Sequence, residues 1–352
     1  MPFTWQRDYL MNKRSVTIKD IARQLGISYS TVSRALSPHA SVLVKEETRE
    51  RVRQIAADMD YSPNLMARGI VMGKTGTLGL LTYQIFQEAF GHQTDQILKA
   101  ADEQDYQVMM GVASNRLPEN LRDDQTMQIR QLISWGVDGL LIHTRGDEGE
   151  SERILDAVKG RVPVVTFFYP TQNLSGIILD LVSDFYEATE HLIKLGHEQI
   201  GFLGEDQNEA SSLSNKSKGY LLAMQNHGLT PNYTPVSTIN AEAGYRLGKE
   251  LGNQFTALVC RDDYTAIGVC RGLWELGIRI PDDVAVVGYG DIDVAAYMTP
   301  ALTTLAMPYE AIAQAAMDLM LEKLEGQDTP RQVTLRSRLA VRESCGANKT
   351  KE

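Results

Sequence analysis

The chain has 352 residues, more than one ordinary core accommodates, so two or three domains are expected. With 43% hydrophobic and 23% charged residues and no apolar run near the ~18 residues that cross a bilayer, the composition argues against a membrane protein. The net charge of −10 argues against a nucleic-acid partner only when taken as one number: residues 11–70 hold ten Lys or Arg against six Asp or Glu, and the 282 residues after them carry −14.

A basic head on an acidic body is the balance expected of a DNA-binding module joined to a solubilising regulatory domain. The N-terminus has no secretory h-region, and Cys260, Cys270 and Cys345 are an odd set without metal-ligand spacing, which suits a reducing cytoplasm.

In chain order, residues 1–10 match no periodic template, and Met11-Asn12-Lys13-Arg14 reads as a natural start. Thr17 is a good N-cap and Asp20, three residues on, completes an approximate capping box; Ile18, Ile21, Ala22 and Leu25 then form one apolar stripe. Gly26 ends that helix. Ser28 caps a second, with Val32, Ala35 and Leu36 facing inward. After a loop at 37–44, a third helix is predicted from Lys45 to Met59 on Val52, Ile55, Ala56 and Met59; Pro63 stops it, since the residue before proline avoids the α region.

From Thr77 the texture changes to short apolar runs alternating with amphipathic helices. Strands are predicted at 78–82, 107–112, 139–143, 162–167, 177–180, 200–204, 257–261 and 284–289, with helices such as 184–195 and 264–276 between them. Continuous apolar strands separated by helices predict parallel sheets covered on both faces. The βα units outnumber one comfortable sheet, so the body reads as two doubly wound lobes behind an all-α head, with a frayed tail from Gly346.

The first two helices, joined by a turn at Gly26, form a helix-turn-helix. Its second helix, "ISYSTVSRAL", is crowded with hydroxyls and holds one Arg. Short hydroxyls let a backbone approach DNA closely, and a guanidinium bonds guanine O6 and N7 with two parallel donors. With Val32, Ala35 and Leu36 buried, Tyr29, Ser30, Ser33 and Arg34 point outward.

The stretches "VTIKDIARQLGISYSTVSRAL" and "VKEETRERVRQIAADMDYSPNLMARGI" resemble the DNA-binding headpiece of the LacI/GalR family of bacterial transcriptional regulators. The likeness continues through "VDGLLI", "ATEHLIKLGHEQIGFLG", "DDYTAIGVCRGLWELGIRIPDDVAVVGYGDID" and "TPALTTL", about residues 15–343. The resemblance implies major-groove reading by Tyr29, Ser30, Arg34 and the neighbouring Ser33, with Thr17, Ser28, Thr31, Ser33 and Asn64 near phosphates, contacts that position the protein without choosing a sequence. It also implies a hinge helix at 64–70 entering the minor groove with Ala67 and with Ile70 as an apolar wedge that bends the duplex. Gly69 disfavours that helix by about 1 kcal/mol against Ala. The loop at 37–44 is about two residues longer than in common members.

For the body the resemblance implies two lobes like those of periplasmic sugar-binding proteins, with a small-molecule effector between them at the strand C-termini. On that side stand Tyr83, Phe86, Gly111, His143, Phe168, Tyr169, Lys216, Asp262 and Gly290. Several depart from the family pattern: Lys216 replaces an Arg, Asp262 an Asn, Gly290 and Phe168 an Asp each. Two hydroxyl-binding carboxylates are thus missing, while aromatics and an Asp262/Lys216 pair are added; a carbohydrate or its derivative remains the expected effector. Phe167 is as well explained by core filling, and His197 in "LGHEQI" reads as structural.

The expected division is an extension at 1–14, the helix-turn-helix domain at 15–62, hinge helix and linker at 63–76, the two-lobed effector-binding and dimerisation body at 77–343 and a tail at 344–352. Lobe 1 would take about 77–171 plus 302–327, lobe 2 about 172–290 plus 328–343. The expected protein is a dimeric, ligand-responsive repressor reading a pseudo-palindromic operator, with no cofactor, no metal and no membrane partner. A solute-binding protein of the periplasmic type is the alternative; it would need an export signal and no head. An enzyme using Asp262, Asp263 or Asp180 lacks a nucleophile motif, and "GYGDID" lacks GxGxxG spacing. No leucine heptads follow Leu339, so a dimer is expected rather than a coil-joined tetramer.

Overall fold

The computed structural model describes residues 16–36, 44–61, 74–83, 88–113, 121–204, 215–236, 238 and 240–347, and the chain divides into two compact units, 1–73 and 74–352. The first unit contains α1 (Ile18–Leu25), α2 (Tyr29–Ala35) and α3 (Glu46–Asp58). The Thr17 amide and hydroxyl both donate to the Asp20 carboxylate, at 3.0 and 2.6 Å, tying down the start of α1. Gly26 then takes φ 66°, a left-handed conformation that other residues adopt only with strain, and the chain turns at once into Ser28. The Ser28 hydroxyl accepts the Thr31 amide at 3.1 Å, capping α2. Ile21, Ala22, Val32, Ala35, Val52 and Ala56 close over one another as the core of this unit.

The second unit begins with β1 (Thr77–Thr82), α4 (Glu88–Asp102), β2 (Gln107–Val112), α5 (Leu121–Ser134), β3 (Gly139–His143), α6 (Glu150–Val158), β4 (Val164–Phe168) and β5 (Ser175–Leu179). It continues with α7 (Leu181–Lys194), β6 (Ile200–Gly204), α8 (Asn215–Asn226), β7 (Asn232–Pro235), α9 (Ala241–Leu251), β8 (Ala257–Cys260), α10 (Asp263–Glu275), β9 (Ala285–Gly290) and β10 (Thr303–Ala306). The chain closes with α11 (Tyr309–Leu324), β11 (Gln332–Leu335) and β12 (Arg338–Ala340). The first sheet has the order β11-β5-β4-β3-β1-β2, all parallel; the second has β12-β10-β9-β8-β6-β7, parallel except for β12 against β10. Among the described residues that antiparallel edge is the one departure from two purely parallel sheets.

The lobe boundaries differ from those expected. β5 pairs with β4 (Val165↔Ser175) and β11 with β5 (Gln332↔Gly176), so residues 175–179 and 332–335 belong to lobe 1. β10 pairs with β9 (Thr303↔Val287), so 303–306 belongs to lobe 2. Hydrophobic pattern locates a strand but does not name its neighbour, and β7, β10, β11 and β12 had no apolar run to reveal them. They are three or four residues long, and β11 alternates exposed and half-buried positions as an edge strand does.

The chain crosses between lobes three times: after β5, after β10 and between β11 and β12. At the third crossing the buried Asp184 of α7 accepts the Ser337 amide at 3.0 Å and Arg336 Nε at 3.2 Å. One apolar cluster runs from Leu80 and Ile97 of the first lobe through Phe167, Leu181 and Phe185 to Phe202 and Val287 of the second. In lobe 2 the helices α9 and α10 cross with backbones touching at Gly244 and Gly268: a Cβ at Gly268 would run into the Ala241 carbonyl, and one at Gly244 into that of Thr265.

Candidate nucleic-acid interface and effector site

On α2, Val32 and Ala35 are buried, while Tyr29, Ser30 and Arg34 are exposed and Thr31 and Ser33 half-buried. The hydroxyls are ordered among themselves. Ser28 Oγ lies 2.8 Å from both Ser30 Oγ and Thr31 Oγ1 while capping the helix, so three of them converge at its N-terminus. The same end offers the positive pole of the helix dipole, suited to a phosphate. The Thr17 hydroxyl is already engaged by Asp20. Arg34 in the last turn is exposed at the other end of the helix, and Tyr29, 48% exposed, projects from the first turn. Asn64, Ala67 and Ile70, expected in the hinge, and Phe86, expected at the effector site, lie outside the described residues.

In lobe 1 the strand ends carry an aromatic group. His143 closes β3, and its ring centre lies 4.3 Å from Phe168, 4.8 Å from Phe90 and 5.3 Å from Phe167. Burial, with Arg145 nearby, lowers its pKa to about 3, so the imidazole is neutral. Phe168 is half-buried with φ at 90°, a strained backbone that turns its ring onto His143. Phe167 is core, as its apolar strand position allowed. Tyr169 follows, its amide donating to Thr144 Oγ1 at 3.1 Å.

Tyr83 is buried, and its hydroxyl donates to Glu150 at 3.0 Å while accepting from Gln125 Nε2 at 2.7 Å. Burial and Glu150 push its pKa far up. Glu150 also accepts the amides of Arg145 and Gly146, at 3.0 and 2.9 Å. Tyr83 therefore turns its polar end into lobe 1 and offers its ring, on which Arg145 lies at 5.2 Å. Glu150 was not legible beforehand, because "GDEGE" reads as a solvated acidic run.

In lobe 2 the strand ends are charged. Lys216 Nζ lies 4.3 Å from the centre of the Tyr289 ring and donates to the Arg261 carbonyl at 2.8 Å. Asp262 caps α10, accepting Thr265 N at 2.8 Å, and its carboxylate stands 3.3 Å from Arg261 Nε. The expected Asp262/Lys216 pair is thus displaced by helix capping and by Arg261, because an N-cap carboxylate is drawn to the exposed amides of its own helix. Asp263 is buried, accepting Thr304 Oγ1 and Ile292 N at 2.6 and 3.0 Å; burial raises its pKa to about 6. Gly290 takes φ 134° and its carbonyl accepts Tyr309 Oη at 3.2 Å, while Asp291 turns away to Arg342 at 2.7 Å. Gly111 lies inside β2, at the edge of its sheet, and His197, in the turn before β6, bonds Thr256 Oγ1 at 3.1 Å.

A model of the lacI family of bacterial regulatory proteins matches residues 17–64, and one of the periplasmic binding protein-like domain matches residues 189–345. The chain is 29% identical over 338 residues to the HTH-type transcriptional repressor PurR of Photobacterium profundum, spanning 93% of this chain and 98% of that repressor. It is 29% identical over 337 residues to the ribose operon repressor of Haemophilus influenzae, with the same shares. The structure of the lac repressor dimer bound to operator and the anti-inducer ONPF matches with a TM-score of 0.83 at 25% identity, over 94% of this chain and 99% of that one. A capped helix-turn-helix ahead of a twice-wound body thus matches the lacI family of bacterial regulatory proteins over residues 17–64 and is similar to these repressors over 93–94% of the chain.

Proposed function

We propose that this chain is a cytoplasmic transcriptional repressor that binds a pseudo-palindromic operator as a homodimer and is controlled by a small molecule held at the strand ends of its two lobes. The observation that carries this reading is α2. Its apolar side is spent on the core of the head, and its exposed side presents Tyr29, Ser30 and Arg34. Tyr29, Ser30, Ser33 and Arg34 read base edges, while Ser28, Thr31 and Thr17 with Asn64 meet phosphates, and Ala67 and Ile70 enter the minor groove. The named relatives are repressors rather than enzymes.

The second copy of the chain would dock on lobe 2. Trp274 and Tyr297 are 66% and 86% exposed, beside a groove lined by Ile267, Arg271, Ile278 and Met298. Arg271 stacks on Trp274 at 4.6 Å, an aromatic and guanidinium surface of the kind enriched at interfaces. The effector is a carbohydrate or its derivative: Phe90, His143 and Phe168 offer faces for a ring, and Lys216 a fixed cation. By binding one arrangement of the lobes more tightly than another it changes operator affinity.

The test is selection of a duplex from random sequence by the full chain, repeated with sugars, sugar phosphates and nucleosides. On the selected site, Arg34→Ala should weaken binding by about 1–3 kcal/mol and relax the preference at one base pair of each half-site. Selection of no sequence, or unchanged binding by the variant, overturns the reading.

A further inference from the structure

Helix α4 starts where the first lobe meets the second. Glu88 and His92, one turn apart, share a face of it, and Asp293 comes from the 3-10 turn Asp293–Tyr297 of lobe 2. His92 Nε2 lies 3.4 Å from Glu88 Oε1 and 3.5 Å from Asp293 Oδ1, and one ligand atom from each of the three falls within 4.8 Å of the others. Donor atoms about 2.0–2.2 Å from a tetrahedral ion stand roughly 3.3–3.6 Å apart, so two of the three edges already have that length.

The Glu88 carboxylate and the two backbones are also tied together. The Asp293 amide donates to Glu88 Oε1 at 2.6 Å, and the Glu88 amide donates to Tyr264 Oη at 3.0 Å. The Tyr309 ring lies 5.7 Å from the imidazole, inclined by 30°. One imidazole and two carboxylates select a zinc-class ion over calcium or magnesium, which favour oxygen alone.

We propose that Glu88, His92 and Asp293 form a site for a zinc-class divalent cation that bridges the two lobes, with water as a fourth ligand. Since its ligands come from both lobes, the ion binds the arrangement seen here and no splayed one, and so draws the body toward it. The site adjoins the effector residues, since Phe90 lies between Glu88 and His92 on α4 and Tyr309, packed on His92, bonds the Gly290 carbonyl, so metal and effector act on the same lobe equilibrium from neighbouring groups.

The experiment titrates the chelator-stripped full chain with zinc chloride, without DNA, by calorimetry and by thermal unfolding; its failure therefore leaves the operator reading untouched. The expected result is one zinc per chain in the micromolar range or tighter and a raised Tm, with affinity at least tenfold weaker in His92→Ala and in Asp293→Asn. Asp293 has an 80% exposed side chain, so its variant should fold. Zinc binding unchanged in both variants overturns the proposal. So does a metal-free pH shift in Tm that disappears in His92→Ala while zinc fails to bind, which would make the cluster a proton-linked ion pair.

Discussion

The two lobes are wound alike and finished differently. Each places its first strand between its second and third, β2-β1-β3 in one and β7-β6-β8 in the other, which opens a crevice at the strand C-termini. At those ends lobe 1 buries a neutral imidazole among aromatic rings, and lobe 2 buries a carboxyl beside fixed charges. Their interiors differ too. Lobe 2 brings helix backbones into contact over glycines, whereas in lobe 1 a Cβ at Gly139 would meet the Met320 thioether, a side chain able to move. Winding decides where the crevice lies; the residues terminating each strand decide what it responds to.

The sharpest way to break that contrast is steric. Gly268→Val should prevent lobe 2 from closing, with a loss of about 4 kcal/mol or more, because the obstacle is the Ala241 carbonyl. Gly139→Ala should cost about 1–3 kcal/mol. Urea unfolding compares them, and equal losses would erase the distinction.

Protonation comes next, with opposite signs in the two lobes. The His143 pKa falls from 6.5 to about 3 on folding, so the stability of its neutral form is present above pH 6.5 and is lost as pH falls toward 3. The full effect is on the order of 5 kcal/mol, and His143→Phe should flatten it. Asp263 goes from 3.8 to about 6, so its contribution is present below pH 3.8 and is lost as pH rises through 6. That loss is about 3 kcal/mol, removed in Asp263→Asn. Unfolding free energies measured from pH 3 to 7 should therefore show the two variants departing from the parent with slopes of opposite sign. Slopes of one sign would mean that the lobes do not differ in this way.

The head was almost wholly legible, because everything that forms it is local. Thr17, Asp20, Gly26 and Ser28 act within four residues of themselves, and the buried stripe has a helical period. In the body the strong strands were legible for the same reason, while β7, β10, β11 and β12 were not, since their existence depends on a neighbour far away in sequence. Of the residues expected to hold the effector, His143 and Gly290 close their strands, whereas Gly111 lies inside β2 and Lys216 on α8, and the orientation of none was legible. Nothing near Tyr83 announces that Glu150, 67 residues on, takes its hydroxyl. Nothing near Asp262 announces that its own helix claims the carboxylate. Glu88, His92 and Asp293 were missed because the juxtaposition spans 205 residues.

The triple crossing has a consequence for how the protein is made. Lobe 1 lacks its edge strand until residue 335 has been synthesised, and lobe 2 lacks its own until residue 340. Neither lobe corresponds to an uninterrupted stretch of gene, so the body completes only when nearly the whole chain has left the ribosome. A frameshift or stop before residue 332 damages both halves at once, sparing the self-contained helices of the head.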